Sequence, residues 1–362
     1  MNYNHAYGRA SLRRATLTLS PQPRWGETPS SRLDATDQLD TIATTFPSLG
    51  GASPRSTRQP IFALLLCALI FLLPTAHAED PAPPKKLRIG VTLVPYYSFT
   101  ANIVGDLAEV VPLIGTAYNI HGYQPQASDI KNAMTLDVLV VNGIGHDEWA
   151  FEILEAAQVR DKIDLIYANE GVALFPVAGR ADGKEVLNPH TFISISSAVP
   201  QVYNIAEALG KLDPPNAAQY RLNAREYTAA LRRIKAEYMA RLEGIENLDF
   251  RCATVHGGYD YLLHEFGLTV AAVIEPNHGS KPTASQLRST IDRIREANVQ
   301  VVFSEMDFPD DFVETIEQET GVKVRHLSHL TASEYTKAAF EQGIRENLEA
   351  LSSALLDIHT GK

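Results

Sequence analysis

Three histidines stand at the ends of strand-like apolar runs, each in a short and distinctive phrase: His121 in IHGYQPQASDI, His190 in LNPHTFIS and His256 in ATVHGGYDYLLHEFGL. Spaced 69 and 66 residues apart, His121, His190 and His256 share neither a helix nor a turn. They meet only if the chain folds into two lobes that turn their strand ends toward one cleft. Neutral imidazole nitrogens converging there are the donors that a borderline-soft divalent ion such as Zn2+ prefers. A single histidine reads as a surface or hydrogen-bonded core residue; three in such phrases read as a metal site.

The elements that must position them alternate along the chain. LRIGVTLVP, AEVVPLIG, LDVLVVNG and KIDLIYAN are strand-like runs separated by helix-like segments. FRCATVH, LTVAAVIE, VQVVFSE and VKVRHL repeat the pattern in the second half. Continuous β-branched runs between helices imply parallel strands covered on both faces. Between the halves, Asp213-Pro214-Pro215 opens a long helix whose stripe of Tyr220, Tyr227, Leu231, Ile234, Tyr238 and Leu242 follows helical spacing. The expected fold is α/β: an N-terminal lobe over 87–212, a linking helix over 213–245 and a C-terminal lobe over 248–358, with mainly parallel sheets. Ligands in such sheets bind beyond the carboxyl ends of the strands, which is where His121, His256, Glu305 and His329 fall.

The first 60 residues lack apolar periodicity and read as disordered, or as the product of a start placed too far upstream. A basic flank at Arg58, the apolar run Ile61 to Pro74 and Ala76-His77-Ala78 then make a signal peptide over 61–78, cut after Ala78. The mature protein is therefore expected in the periplasm. No lipid anchor is expected at Cys67, because Leu66 stands where lipidation needs a small residue. Cys252 is left alone after cleavage, without an intrachain disulfide, and reads as core. The formal charge of −11 argues against a nucleic-acid partner and is compatible with cation capture, as it is with many acidic soluble proteins.

With these phrases in place, residues Leu87 to Leu356 resemble the metal-binding receptors of bacterial ABC importers for zinc and manganese, the ZnuA/TroA type. The matching phrases are His121, Tyr123, Pro125, Ser128 and Asp129; Asn188-Pro189-His190-Thr191-Phe192; His256, Tyr259 and Tyr261; NGIGHDEW from Asn142 to Trp149; and EPNHGSKPTASQL. The resemblance implies a fourth, carboxylate ligand after the last strand, but Leu327-Ser328-His329-Leu330-Thr331 has none there. His329 takes that place, with Glu305 the main rival and His326 next. The loop before His190, around Gly179 to Val186, also lacks the histidines that zinc-importing relatives often carry there. His146 reads as an outer or entry-route group near the cleft, or as a surface turn residue. Asp129, Glu275 and Asp307 are candidates to hold the outer N–H of a ligating ring. His264, His278 and His359 read as solvent-facing or tail residues.

What the resemblance implies is a monomeric periplasmic receptor, not an enzyme, that captures Zn2+ and hands it to an ABC permease. Mn2+ is the alternative cargo. A zinc hydrolase with Glu305 as general base, a protein with a merely structural metal, and a receptor for a chelated metal are the rival readings. The absence of an H-E-x-x-H helix weighs against the first.

Overall fold

The computed structural model describes residues 85–116, 120–176, 187–245, 250–274, 283–305 and 310–361. The N-terminal extension, the signal peptide with Cys67, the 179–186 loop, Glu275, His278 and Asp307 lie outside the described residues.

Two four-stranded parallel sheets carry the architecture. The first is built from β1 (Arg88–Val91), β2 (Glu109–Pro112), β3 (Val138–Val141) and β4 (Asp164–Tyr167) in the order β2-β1-β3-β4. The second uses β5 (Cys252–Thr254), β6 (Val270–Val273), β7 (Val301–Glu305) and β8 (Lys323–Leu327) in the equivalent order β6-β5-β7-β8. All ladders are parallel, with Ile89 opposite Val110 and Val138, and Ala253 opposite Val302. The four residues of β3 are all buried, as a strand covered on both faces requires. Each sheet reverses its winding between its first and third strands, and this reversal opens a crevice at the strand ends.

Helices α1 (Val94–Val104), α2 (Ala127–Ala133) and α3 (Glu148–Ala156) belong to the first sheet; α4 (Ile195–Leu212) and α5 (Ala217–Arg241) follow it. The second sheet carries α6 (Asp260–Glu265), α7 (Ala284–Glu296), α8 (Asp310–Thr320) and the final α9 (Ala339–Thr360). Local chemistry sets several of these starts. Pro95 occupies the first turn of α1, where its missing N–H costs nothing. Thr283 and Gln286 form a capping box on α7. For α2, Gln126 is the cap and Asp129 the third residue of the helix, accepting from the Gln126 N–H at 2.8 Å.

The long helix is present, preceded by a 3-10 turn over Pro214–Asn216. Its buried stripe is Tyr220, Ala224, Tyr227, Thr228, Leu231, Ile234 and Tyr238. Near its start Asn223 donates to the Ile103 carbonyl of α1 (2.8 Å), and near its end Lys235 pairs with Glu265 of α6 (3.1 Å). It therefore braces both halves. The chain crosses between the halves a second time ahead of the last helix, which begins at Ala339. Residues 334–338 are spent docking on α1, where Ser98 donates to the Thr336 carbonyl (2.8 Å), Asn102 to that of Lys337 (2.9 Å), and Tyr97 meets Tyr335 edge-on at 5.6 Å. Phe340 then packs on Phe99 at 4.7 Å. The main core accordingly runs without interruption from β1 and β3 through α4 and α5 to Phe303 and Leu355. A smaller cluster, including Ala253, Val302 and Val324, covers the other face of the second sheet.

Candidate metal centre

The ends of both sheets deliver donors to one place. His146 follows β3, His256 follows β5, Glu305 ends β7, His329 follows β8, and His190 comes from the segment leading into α4. Ligand atoms of His146, His190 and His329 lie within 4.8 Å of one another, as do those of His256, Glu305 and His329. The two trios share His329. The Nε2 atoms of His190 and His256 stand 2.9 Å apart. Two nitrogens on one zinc at ~2.05 Å are about 2.9 Å apart at right angles and about 3.3 Å at the tetrahedral angle, so the spacing suits a shared ion.

Each donor is held by its own local device. The His146 loop turns through Gly143 and Gly145, both in the left-handed region (φ 75° and 95°). A side chain at Gly143 would also meet the Tyr167 ring at 2.4 Å. His146 itself sits at φ 109°, strained for a residue with a Cβ. Asn142, fully buried, donates to the Gly145 and Pro189 carbonyls (2.7 and 3.0 Å) and so ties this loop to the His190 segment. Asp147 accepts from Thr92, from Asn142 N–H and from Gly143 N–H. Burial nevertheless pushes its carboxyl up to about 6, those hydrogen bonds offsetting only part of the desolvation.

His190 is fixed by Asn188, whose side-chain oxygen lies 2.7 Å from Nδ1. His256 packs over Gly258, where an added Cβ would lie 2.6 Å from the ring's Cδ2. Tyr259 pins the same loop to the Leu327 carbonyl at 2.9 Å. The His329 loop is held from α9: the Asn347 amide pairs with both the N–H and the carbonyl of Ser328 (2.6 and 2.8 Å). Phe192, fully buried, floors the site, stacking on His146 at 5.3 Å and touching His190 and His329.

His121 is placed by its backbone in the 3-10 turn Ile120–Gly122 after β2; its side chain lies outside the described residues. Asp129 is buried and accepts from the Tyr123 hydroxyl, Gln126 N–H and Ser128 hydroxyl, a set that shapes the turn after His121. His146 is buried among the donors rather than on a surface turn. Its signal in the sequence was the Gly-x-Gly directly after a buried strand. His326 is an exposed strand residue facing Ser304 (2.9 Å), His264 is exposed, and His359 lies in the last turn of α9, not in a tail. Cys252 is wholly buried in β5, and desolvation pushes its thiol up to about 12.

Two α/β lobes with a donor cluster in the crevice between them define a cleft receptor for a small cation. The comparisons place it further: a family model described as zinc-uptake complex component A, periplasmic, matches residues 89–354, and the chain belongs to that family. FpvC of Pseudomonas aeruginosa bound to Mn2+ is similar with TM-score 0.72 and 50% identity, covering 76% of this chain and 100% of that one. The same protein with Ni2+ gives 0.70 and 49%, covering 76% and 98%. The manganese ABC transporter substrate-binding lipoprotein PsaA of Streptococcus mitis is 25% identical over 288 residues, 78% of this chain and 91% of that protein. The high-affinity zinc uptake protein ZnuA of Bacillus subtilis is 27% identical over 316 residues, 81% and 97%. The chain is thus a metal-binding substrate-binding protein of the ABC-importer type and not an enzyme, which removes the hydrolase reading.

Proposed function

We propose that this protein captures Zn2+ in the periplasm, after removal of the signal peptide, and delivers it as a monomer to an ABC permease. The observation that carries the reading is the convergence of imidazoles from both lobes, with the His190 and His256 Nε2 atoms 2.9 Å apart. His190, His256 and His329 are the proposed ligands. His121 joins them on the strength of its phrase in the sequence, and His146 on its place beside His190 and His329. An imidazole-rich set favours zinc over manganese, since harder ions prefer oxygen.

One observation favours a second cargo. Glu305 shares a trio with His256 and His329, and a carboxylate in the shell makes Mn2+ competitive; the similar FpvC was solved with Mn2+. Metal analysis of protein expressed from Glu79, followed by zinc–manganese competition, tests both. Under the zinc reading His329→Ala weakens zinc far more than Glu305→Gln does. The reverse order, with manganese retained in competition, would give the site to the oxygen-bearing trio.

A further inference from the structure

Asn188 is buried completely and every polar atom it carries is engaged. Its N–H donates to the Phe175 carbonyl (2.8 Å) and its carbonyl accepts from the Tyr261 hydroxyl (2.9 Å). The side-chain Nδ2 donates to the Gly257 carbonyl (2.7 Å) and to Asp260 Oδ2 (2.9 Å). Oδ1 accepts the His190 N–H (3.1 Å) and faces His190 Nδ1 (2.7 Å). Two acceptors at one end and a backbone donor at the other allow the amide only one orientation. With Oδ1 so placed, His190 Nδ1 must carry the ring hydrogen, because an oxygen acceptor at 2.7 Å cannot face a lone pair. His190 Nε2 is then the lone-pair nitrogen, as a metal ligand requires.

We propose that Asn188 is a positioning residue of the metal site: it sets the tautomer of His190 and, through Gly257 and Asp260, locks that ring to the loop carrying His256. The inference rests on reading the cleft as a metal site. Asn188 reaches across the lobes, since His190 enters α4 whereas Gly257 and Asp260 follow β5. It is also a neutral relay, placing the Asp260 carboxylate one amide behind the imidazole. An aspartate would not serve, because its oxygens would face the Gly257 carbonyl and Asp260 with no hydrogen between them.

Ring-nitrogen NMR of the 15N-histidine-labelled, metal-free protein at about pH 8.5, where an ordinary histidine is neutral, tests the assignment directly. The expected result is a His190 with hydrogen on Nδ1; a hydrogen on Nε2 would overturn the proposal without any variant being made. In Asn188→Leu the His190 signal should shift toward the other tautomer; in Asn188→Asp, whose oxygen still accepts from Nδ1, the tautomer should stay while the tie to Gly257 and Asp260 is lost, and in both Zn2+ and Ni2+ affinity should fall about 10- to 100-fold. Folded variants that keep wild-type tautomer and affinity would overturn it. Should the wild-type protein bind neither metal, the metal reading fails while the NMR still decides what Asn188 does to His190.

Discussion

Gly258→Ala should separate the geometry of the site from the stability of the fold. Gly258 is buried beneath the two central imidazoles, and a Cβ there would stand 2.6 Å from His256 Cδ2, 2.9 Å from His256 Nε2 and 3.3 Å from His190 Cδ2. Ordinary carbon contacts begin at ~3.5 Å, so the His256 ring must retreat by about 1 Å. Metal–nitrogen bonds tolerate about 0.2 Å; the retreat would take the proposed ligand His256 out of range. The backbone at Gly258 lies outside the left-handed region, so alanine itself is no burden, and the displaced group is the rotatable end of a side chain. We expect zinc affinity to fall about 100-fold, near 2.7 kcal/mol, with apo unfolding displaced by less than about 1 kcal/mol. Competition with a chromophoric chelator gives the first quantity and urea denaturation the second. Wild-type zinc affinity in a folded G258A protein would refute the claim that the His190–His256 spacing is what the metal uses.

Three further outcomes follow from the same coordinates. His146→Gly and His146→Ala both delete the ring and should both weaken zinc binding, but at φ 109° the glycine variant should be the more stable by about 1 kcal/mol in urea titration; equal stabilities would mean the loop relaxes without cost. The Glu265 carboxylate, 1% exposed, accepts from the Ile195 and Ser196 N–H groups at the start of α4 and pairs with Lys235. Glu265→Ala should therefore cost about 3 kcal/mol in the same assay, and a loss near zero would mean the contact is dispensable. With its thiol buried and pushed up to about 12, Cys252 presents little thiolate below that pH, so iodoacetamide at about pH 8 should label it only in denaturant; labelling of the native protein would expose an opening of β5.

Strand and helix periods were legible because they report burial, which is local in sequence. The run Ile195–Leu212 reads as a helix and is one, and the four-residue apolar run of β3 reads as a covered strand. Donors at the strand ends were legible for a related reason: His256, Glu305 and His329 all fall where an apolar run stops. The environment of His146 was not, since nothing in GIGHDEW says that Phe192, some 46 residues on, will lie flat against its ring. The role of Asn188 is invisible for the same reason, because its amide ties His190 to Gly257 and Asp260 some 70 residues on. The start of α9 at Ala339 was not legible either, because the backbone of Thr336 and Lys337 is committed to α1 by Ser98 and Asn102.

The five described donors come from five different places: the connections after β3, β5 and β8, the last residue of β7, and the segment entering α4. None is part of a hydrophobic cluster. A change of ligand type at one of them leaves the sheets and the bracing helix untouched, so coordination chemistry and folding are inherited separately. Cargo preference in such a protein can drift by single substitutions, each altering one vertex of the polyhedron while the other vertices keep their places. The same separation makes the scaffold a natural starting point for engineering selectivity between borderline and hard cations, with Glu305 and His329 the two positions at which to begin.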